Sequence, residues 1–438
     1  MADYAFPRSA RRYRAWPLCL AAGAVAAPAW AQDGSVIVTN SGDTAWLMAA
    51  ALFGLVAALP GIALFHAGRA DGRNVLSIML QTAAIAAAVS LAWIVTGYTL
   101  AFGDVTNGWL GSGNAWMLIR LGNVRAGLDV PESAFALFQI TLATIAAALL
   151  AGAWVGRARF AFAVTMAGFW SLVVLAPVAH WVRGDGWLFA GTGTIDHAGG
   201  LTLLFPAGIS ALVVSALIGR RTTAEGAAEG FSPSLTLVGA LLLWAGMLGL
   251  CGGAALFATD DAASAMIAAH GAACGGGLAW LLADRLFGMK PTAQGFARGL
   301  VAGIATALAG ALYVSPGGAI LLGALGSLAS RAAARFVRDR LGIDDTLDVF
   351  ATFAVPAGVG TILLAPLQAE AMGGVGYDPG MNMIAQLVAQ AIGLGIVAIW
   401  SAVATAIVAV AISTLVQMRV GEDAETRGLD LSSHGEHA

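Results

Sequence analysis

The chain has 438 residues, of which 59% are hydrophobic and only 11% charged, with a mean hydropathy of +0.81. Soluble globular chains carry roughly 25% charged residues, so this composition excludes a soluble protein and indicates one embedded in a lipid bilayer. A net charge of −3 gives no basic footprint for a nucleic-acid partner.

Residues 1–31 read as a cleaved leader. Arg8, Arg11, Arg12 and Arg14 precede the apolar run AWPLCLAAGAVAAPAW, and Ala29-Trp30-Ala31 offers a small-x-small cleavage site before Gln32. The alternative is an uncleaved extra membrane helix. Cleavage would start the mature chain outside the cytoplasm. A membrane-spanning helix needs about 20 mostly apolar residues. Eleven segments qualify, centred near residues 55, 88, 143, 171, 208, 244, 274, 304, 327, 357 and 400, the ninth being short. The loops between them are too short to fold alone, so residues 32–418 form one membrane domain and 419–438 a cytoplasmic tail. The 57 glycines suit helices whose backbones approach closely. Cys19 falls in the leader and Cys251 and Cys274 in apolar segments, a pattern of free thiols rather than a disulfide framework.

Basic residues orient this domain, because Lys and Arg accumulate on the cytoplasmic side. Starting outside, the cytoplasmic loops and tail hold Arg69, Arg73, Arg157, Arg159, Arg220, Arg221, Arg285, Lys290, Arg298, Arg331, Arg335, Arg338, Arg340, Arg419 and Arg427. These are fifteen of the 22 basic residues. The opposite loops hold Arg120, Arg125 and Arg183. The fold class expected is therefore an all-α polytopic membrane protein of eleven transmembrane helices, N-out and C-in. An odd count with that orientation points to two inverted five-helix repeats plus one extra helix. A matched pair supports this: Asp196 lies ten residues before Pro206 in IDHAGGLTLLFPAG, and Asp345 eleven before Pro356 in DDTLDVFATFAVPAG. Spans five and ten would then be equivalent.

The chain resembles the ammonium transporter/Rhesus (Amt/Mep/Rh) family, bacterial branch, from about Asp43 to the C-terminus. The resemblance rests on DTAW (43–46), PGIALFHAG (60–68), RNVLSIMLQ (73–81), GYTLAFG (97–103), APVAHWV (176–182), IDHAGG (195–200), KPTAQG (290–295), LGIDDTLDVF (341–350), GGVGYDPG (373–380) and GLDLSSHGE (428–436), in order and at the right spacing. It implies a homotrimer with one narrow pore per subunit, passing ammonium or ammonia across the bacterial inner membrane. It also implies a C-terminal tail that packs across the trimer and receives PII-class nitrogen regulators. No cofactor, metal or enzymatic activity is implied.

The family's pore stations map onto this chain with departures. Asp196 takes the place of the buried acidic residue at the outer mouth, either favouring a cation there or capping the start of span five. The resemblance places twin pore histidines eight residues after each paired aspartate, and these positions are Leu204 and Phe353. Neither accepts or relays a proton. The recruitment tryptophan corresponds to Arg183, with Trp181 as the alternative, and the recruitment serine to Ala254. The stacked phenylalanine gate corresponds to Leu142 and Leu250, with Phe138 kept one turn earlier. An arginine 4 Å from an ammonium ion repels it by about 4 kcal/mol at an effective dielectric near 20, unless Asp185 neutralises it. Asp345 is expected to frame the pore, and Asp344 and Asp348 to cap a helix start. His180, His197 and His270 read as hydrogen-bonded structural residues; His66, His434 and His437 read as solvated. Three outcomes stay open: passage of ammonia or another small neutral solute, charge movement through other polar groups, or a non-conducting sensor or regulator.

Overall fold

The computed structural model describes residues 40–105, 108–113, 116–119, 121, 123–222 and 230–437. The expected leader, its Cys19 and Arg120 lie outside the described residues. Among the described residues, ten helices are long and apolar enough to cross a membrane. They are α1 (Ser41–Arg69), α2 (Val75–Phe102), α3 (Glu132–Ala153), α4 (Phe160–Arg183), α5 (Gly200–Ile218), α6 (Pro233–Gly253), α7 (Asp260–Leu286), α9 (Pro316–Leu341), α10 (Phe350–Leu367) and α11 (Met383–Ser413). The segment expected near residue 304 is α8 (Ala293–Ala307), a helix of only 15 residues whose apolar face is buried. The short helix is thus the eighth in order. The ninth, expected to be short, runs 26 residues.

Side chains start several of these helices. Asn40 accepts the Asp43 amide at α1, and Ser232, Thr292, Ser315 and Asn382 cap α6, α8, α9 and α11 in the same way. Proline shapes four of the helices. It lacks an N–H, and its ring clashes with the carbonyl four residues back. In α1, α4, α5 and α10 the chain absorbs this with a π-turn (Gly54–Ala58, Ser171–Leu175, Gly200–Leu204 and Phe350–Ala354). Each π-turn ends two residues before Pro60, Pro177, Pro206 or Pro356, so the kinks are local widenings of the helix.

Helix α3 is the central post, with 94% of its apolar window buried against 39% for α11. Around it, glycines bring backbones into contact. A side chain on Gly61 of α1 would strike Leu243 and Gly239 of α6, and one on Gly239 would strike Phe65. A side chain on Gly208 of α5 would strike Ala354 of α10. Thr306 of α8 is wedged between Gly326 of α9 and Gly360 of α10, with its carbonyl against Gly360. Helix one thus packs on helix six and helix five on helix ten.

The predicted basic loops meet at one end. Asp344 binds Arg221 at 2.8 Å and Arg157 at 3.5 Å, while Asp348 binds Arg298 at 2.7 Å, Arg69 at 3.1 Å and Arg338 at 3.4 Å. The expectation that these two aspartates serve as helix caps is corrected: they are ion-pair hubs joining loops distant in sequence. Burial opposes charge on Asp344, yet Arg221 and Arg157 hold its carboxyl below the usual range. The described tail packs on the same end of its own chain. Asp430 accepts the Ser77 amide at 2.7 Å and the Leu76 amide at 3.1 Å, capping α2, and the Leu429 amide binds Asn74 at 2.8 Å. Gly428 makes this possible: its φ is +88°, and any side chain would strike Arg73.

Candidate conduction site

The segment before α5 is extended and tied on three sides. The His197 and Ala198 amides donate to Ala309 and Leu308 at 3.0 and 2.8 Å. Gln390 of α11 accepts the Ile195 amide and donates to the Ile195 carbonyl, both at 2.9 Å. His197 Nε2 lies 2.9 Å from the Cys251 carbonyl on α6. Gly199, with φ +94°, then turns the chain into the π-turn.

Asp196 closes that turn. One carboxylate oxygen, Oδ2, accepts the Thr202 amide at 2.8 Å and the Thr202 hydroxyl at 2.7 Å; the other, Oδ1, is buried without a partner. Asp345 repeats the arrangement before α10. Its Oδ2 accepts the Phe350 amide at 2.7 Å, and its Oδ1 is buried and unpartnered. Both carboxylates therefore cap a kinked helix and keep one oxygen in reserve. Burial raises the Asp196 carboxyl above its ordinary range, opposed by Arg183 and by Thr202. Burial, with the Asp348 charge behind it, pushes Asp345 up to about 7.

Leu204 ends the first π-turn and Phe353 is the last residue but one of the second; they are 2% and 1% exposed. No imidazole stands at either position. Phe138, Leu142 and Leu250 are buried; the Phe138 ring packs at Gly253, and Leu250 packs with Thr141 at Gly54. Ala254 is half-buried just past the end of α6.

The surroundings of Arg183 and Trp181 depart from two expectations. Arg183 is close enough to Asp196 for their charges to interact, and it forms no ion pair with Asp185. Asp196, from the motif itself, is the carboxylate that tempers the arginine. Trp181 does not offer a ring to a cation. It is 2% exposed, its indole donates to the Trp109 carbonyl at 2.9 Å, and it packs among Trp109, Trp187 and Trp400. His180 contacts the Ala101 carbonyl at 3.0 Å, as a structural histidine should. His270 is exposed and stacked on Trp244. His66 is corrected: it is fully buried beside Gly152 and Val349, and neither ring nitrogen has a partner. His434 packs its ring edge-on to Phe160. Cys251 and Cys274 are free. Sequence reasoning missed Thr202, Gln390 and Asp430, although Asp430 stood inside a recognised motif.

A bundle of long apolar helices, two of them proline-kinked and aspartate-capped, defines a polytopic membrane protein of the transporter or channel class. The Ammonium Transporter Family model matches residues 45–438. The chain is 34% identical to an ammonium transporter of Aquifex aeolicus over 402 residues, 91% of this chain and 93% of the relative. It is 31% identical to the ammonium transporter Amt1 of Archaeoglobus fulgidus, over 91% and 99%. Among solved structures, Saccharomyces cerevisiae Mep2 superposes with a TM-score of 0.79 at 25% identity, over 87% of this chain and 91% of that one. A protein described as a sensor Amt protein superposes at 0.83 and 22% identity, over 89% and 98%, which is a likeness of fold. The chain belongs to the ammonium transporter family.

Proposed function

We propose that the protein passes ammonium-derived ammonia across the bacterial inner membrane, through a path in each subunit that runs by Asp196 and between the π-turns of α5 and α10. The observation that carries this reading is the matched pair of capping aspartates followed by Leu204 and Phe353. The scaffold that frames a conduit is intact, but its middle is apolar. A bare ammonium ion loses several kcal/mol in such surroundings even after relaxation, so the neutral amine is the species that fits. Arg183 beside Asp196 weakens cation recruitment, and that favours a second reading as a low-flux ammonium sensor or regulator, or a path for another small neutral solute.

In this reading the chain has eleven spans, with α8 as the eighth, in two inverted five-helix halves plus α11. It is N-out and C-in, loses residues 1–31 as a leader, and assembles as a homotrimer. The tail at 419–438 is the docking element for a PII-class regulator. Ammonium-elicited current on a solid-supported membrane tests the function. The expected current is far below that of a twin-histidine relative, with ammonia flux retained by a pH-sensitive dye assay. Equal saturable currents would remove the reading. Regulator pull-down is expected to be lost on truncation after Met418, and full binding without the tail would refute that part.

A further inference from the structure

A different chemistry lies at the end of the bundle that carries the arginines. There α7, α8 and α9 enclose a cavity of about 190 Å³, lined by Trp280, Asp284, Arg298, Arg331, Arg335 and Arg338 among others. Charge in and behind this cavity is unbalanced. Arg331 pairs with Asp284, while Arg298, Arg338 and Arg69 all share Asp348. Including Arg335, five arginines share two ion-paired carboxylates, Asp284 and Asp348, with Asp345 near Arg69 as a third. Arg335 is exposed and makes no hydrogen bond or ion pair among the described residues. The Nε groups of Arg298 and Arg331 are buried and unpartnered, and Arg331 as a whole is 8% exposed. A buried guanidinium donor without an acceptor is costly.

The cavity is also held in shape. The Trp280 ring carries Arg298 on its face at 5.0 Å and Arg331 at 5.5 Å. The guanidinium groups thus converge from two helices onto one space, and their planar forks suit oxygen anions with several acceptor atoms. An ammonium ion would be repelled here, so the cavity is unrelated to conduction.

We propose that this cavity binds a phosphate-class oxyanion, supplied either as free phosphate or as the phosphate of an anionic lipid headgroup. A tetrahedral dianion offers acceptors to Arg298, Arg331, Arg335 and Arg338 together and offsets the surplus positive charge.

The test uses the purified full chain in detergent. Thermal unfolding is followed with inorganic phosphate against chloride at matched ionic strength, and native mass spectrometry compares retention of phosphatidylglycerol and phosphatidylcholine. The midpoint is expected to rise with phosphate, or phosphatidylglycerol to be retained over phosphatidylcholine. Phosphate alone identifies a free oxyanion, and phosphatidylglycerol alone a lipid headgroup. In R335Q binding weakens at least about tenfold, as loss of one charge-assisted contact implies, and R335K keeps part of it. R340Q removes the same charge from an exposed residue outside the lining and leaves binding unchanged. The proposal is overturned if neither ligand binds, or if R340Q weakens binding as much as R335Q.

Discussion

Asp196 and Asp345 are structural counterparts: each gives one carboxylate oxygen to an amide at the start of a proline-kinked helix and keeps the other buried and unpartnered. The Thr202 amide and hydroxyl have no other acceptor, so Asp196→Ala leaves two buried donors unsatisfied. Each unsatisfied group costs about 1–3 kcal/mol. The thermal midpoint in detergent is expected to fall clearly in Asp196→Ala and much less in Asp196→Asn, which keeps an acceptor oxygen. A midpoint unchanged in Asp196→Ala would show that the cap carries no stability.

Asp345 makes stability depend on pH in an unusual direction. Its folded carboxyl titrates at about 7, above the ordinary 3.8. The folded state therefore holds the proton more tightly than the unfolded chain. The contribution is full below about pH 3.8 and is lost as pH rises through 7. Unfolding midpoints of the wild type should fall relative to Asp345→Asn between pH 4 and 8. Parallel curves for the two proteins would contradict the assignment.

Restoring imidazoles tests the conduit. Leu204→His with Phe353→His should raise ammonium current only once Arg183→Trp is added, because the arginine at the mouth opposes cation arrival. Current on solid-supported membranes reads the result. A triple variant no more active than the wild type would count against the pore assignment.

Asp348 is the common acceptor of Arg69, Arg298 and Arg338, and the Arg69 side chain is only 7% exposed. Asp348 itself sits at a positive φ of 53°, which asparagine tolerates. Asp348→Asn therefore isolates the charge. Breaking a buried ion pair from one side costs about 3–5 kcal/mol, and a drop of that order in unfolding free energy is expected. A loss below 1 kcal/mol would show that the arginines find other partners.

The tail offers a further variant. Asp430→Ala removes the cap on α2, worth about 1–2 kcal/mol, and should make residues beyond Met418 cleavable by protease while the bundle stays intact. Equal cleavage rates in variant and wild type would refute the anchoring role.

Much of this was legible because hydrophobic length and proline–aspartate spacing act locally. Ten of the eleven expected spans and the pair Asp196 and Asp345 follow from short windows of sequence, whereas the family resemblance singled out Leu204 and Phe353, which are buried. What escaped depends on partners far along the chain. Gln390 clamps Ile195 from 195 positions away, and Asp430 caps α2 across 353 positions. Asp344 and Asp348 look like helix starters because acidic residues favour that position. Only the convergence of α1, α8 and α9 turns Asp348 into a hub. His66 stands three residues from a charged loop in sequence, yet it faces inward, against Gly152.

The wedging of Thr306 between Gly326 and Gly360 has a mechanical consequence. Where the Thr306 carbonyl already lies against Gly360, α8 and α10 cannot slide together or spread without breaking that fit, so this part of the bundle cannot open like an iris. If the proposed path runs between the π-turns of α5 and α10, its calibre is set by leucine and phenylalanine rotamers within a rigid casing rather than by helix motion.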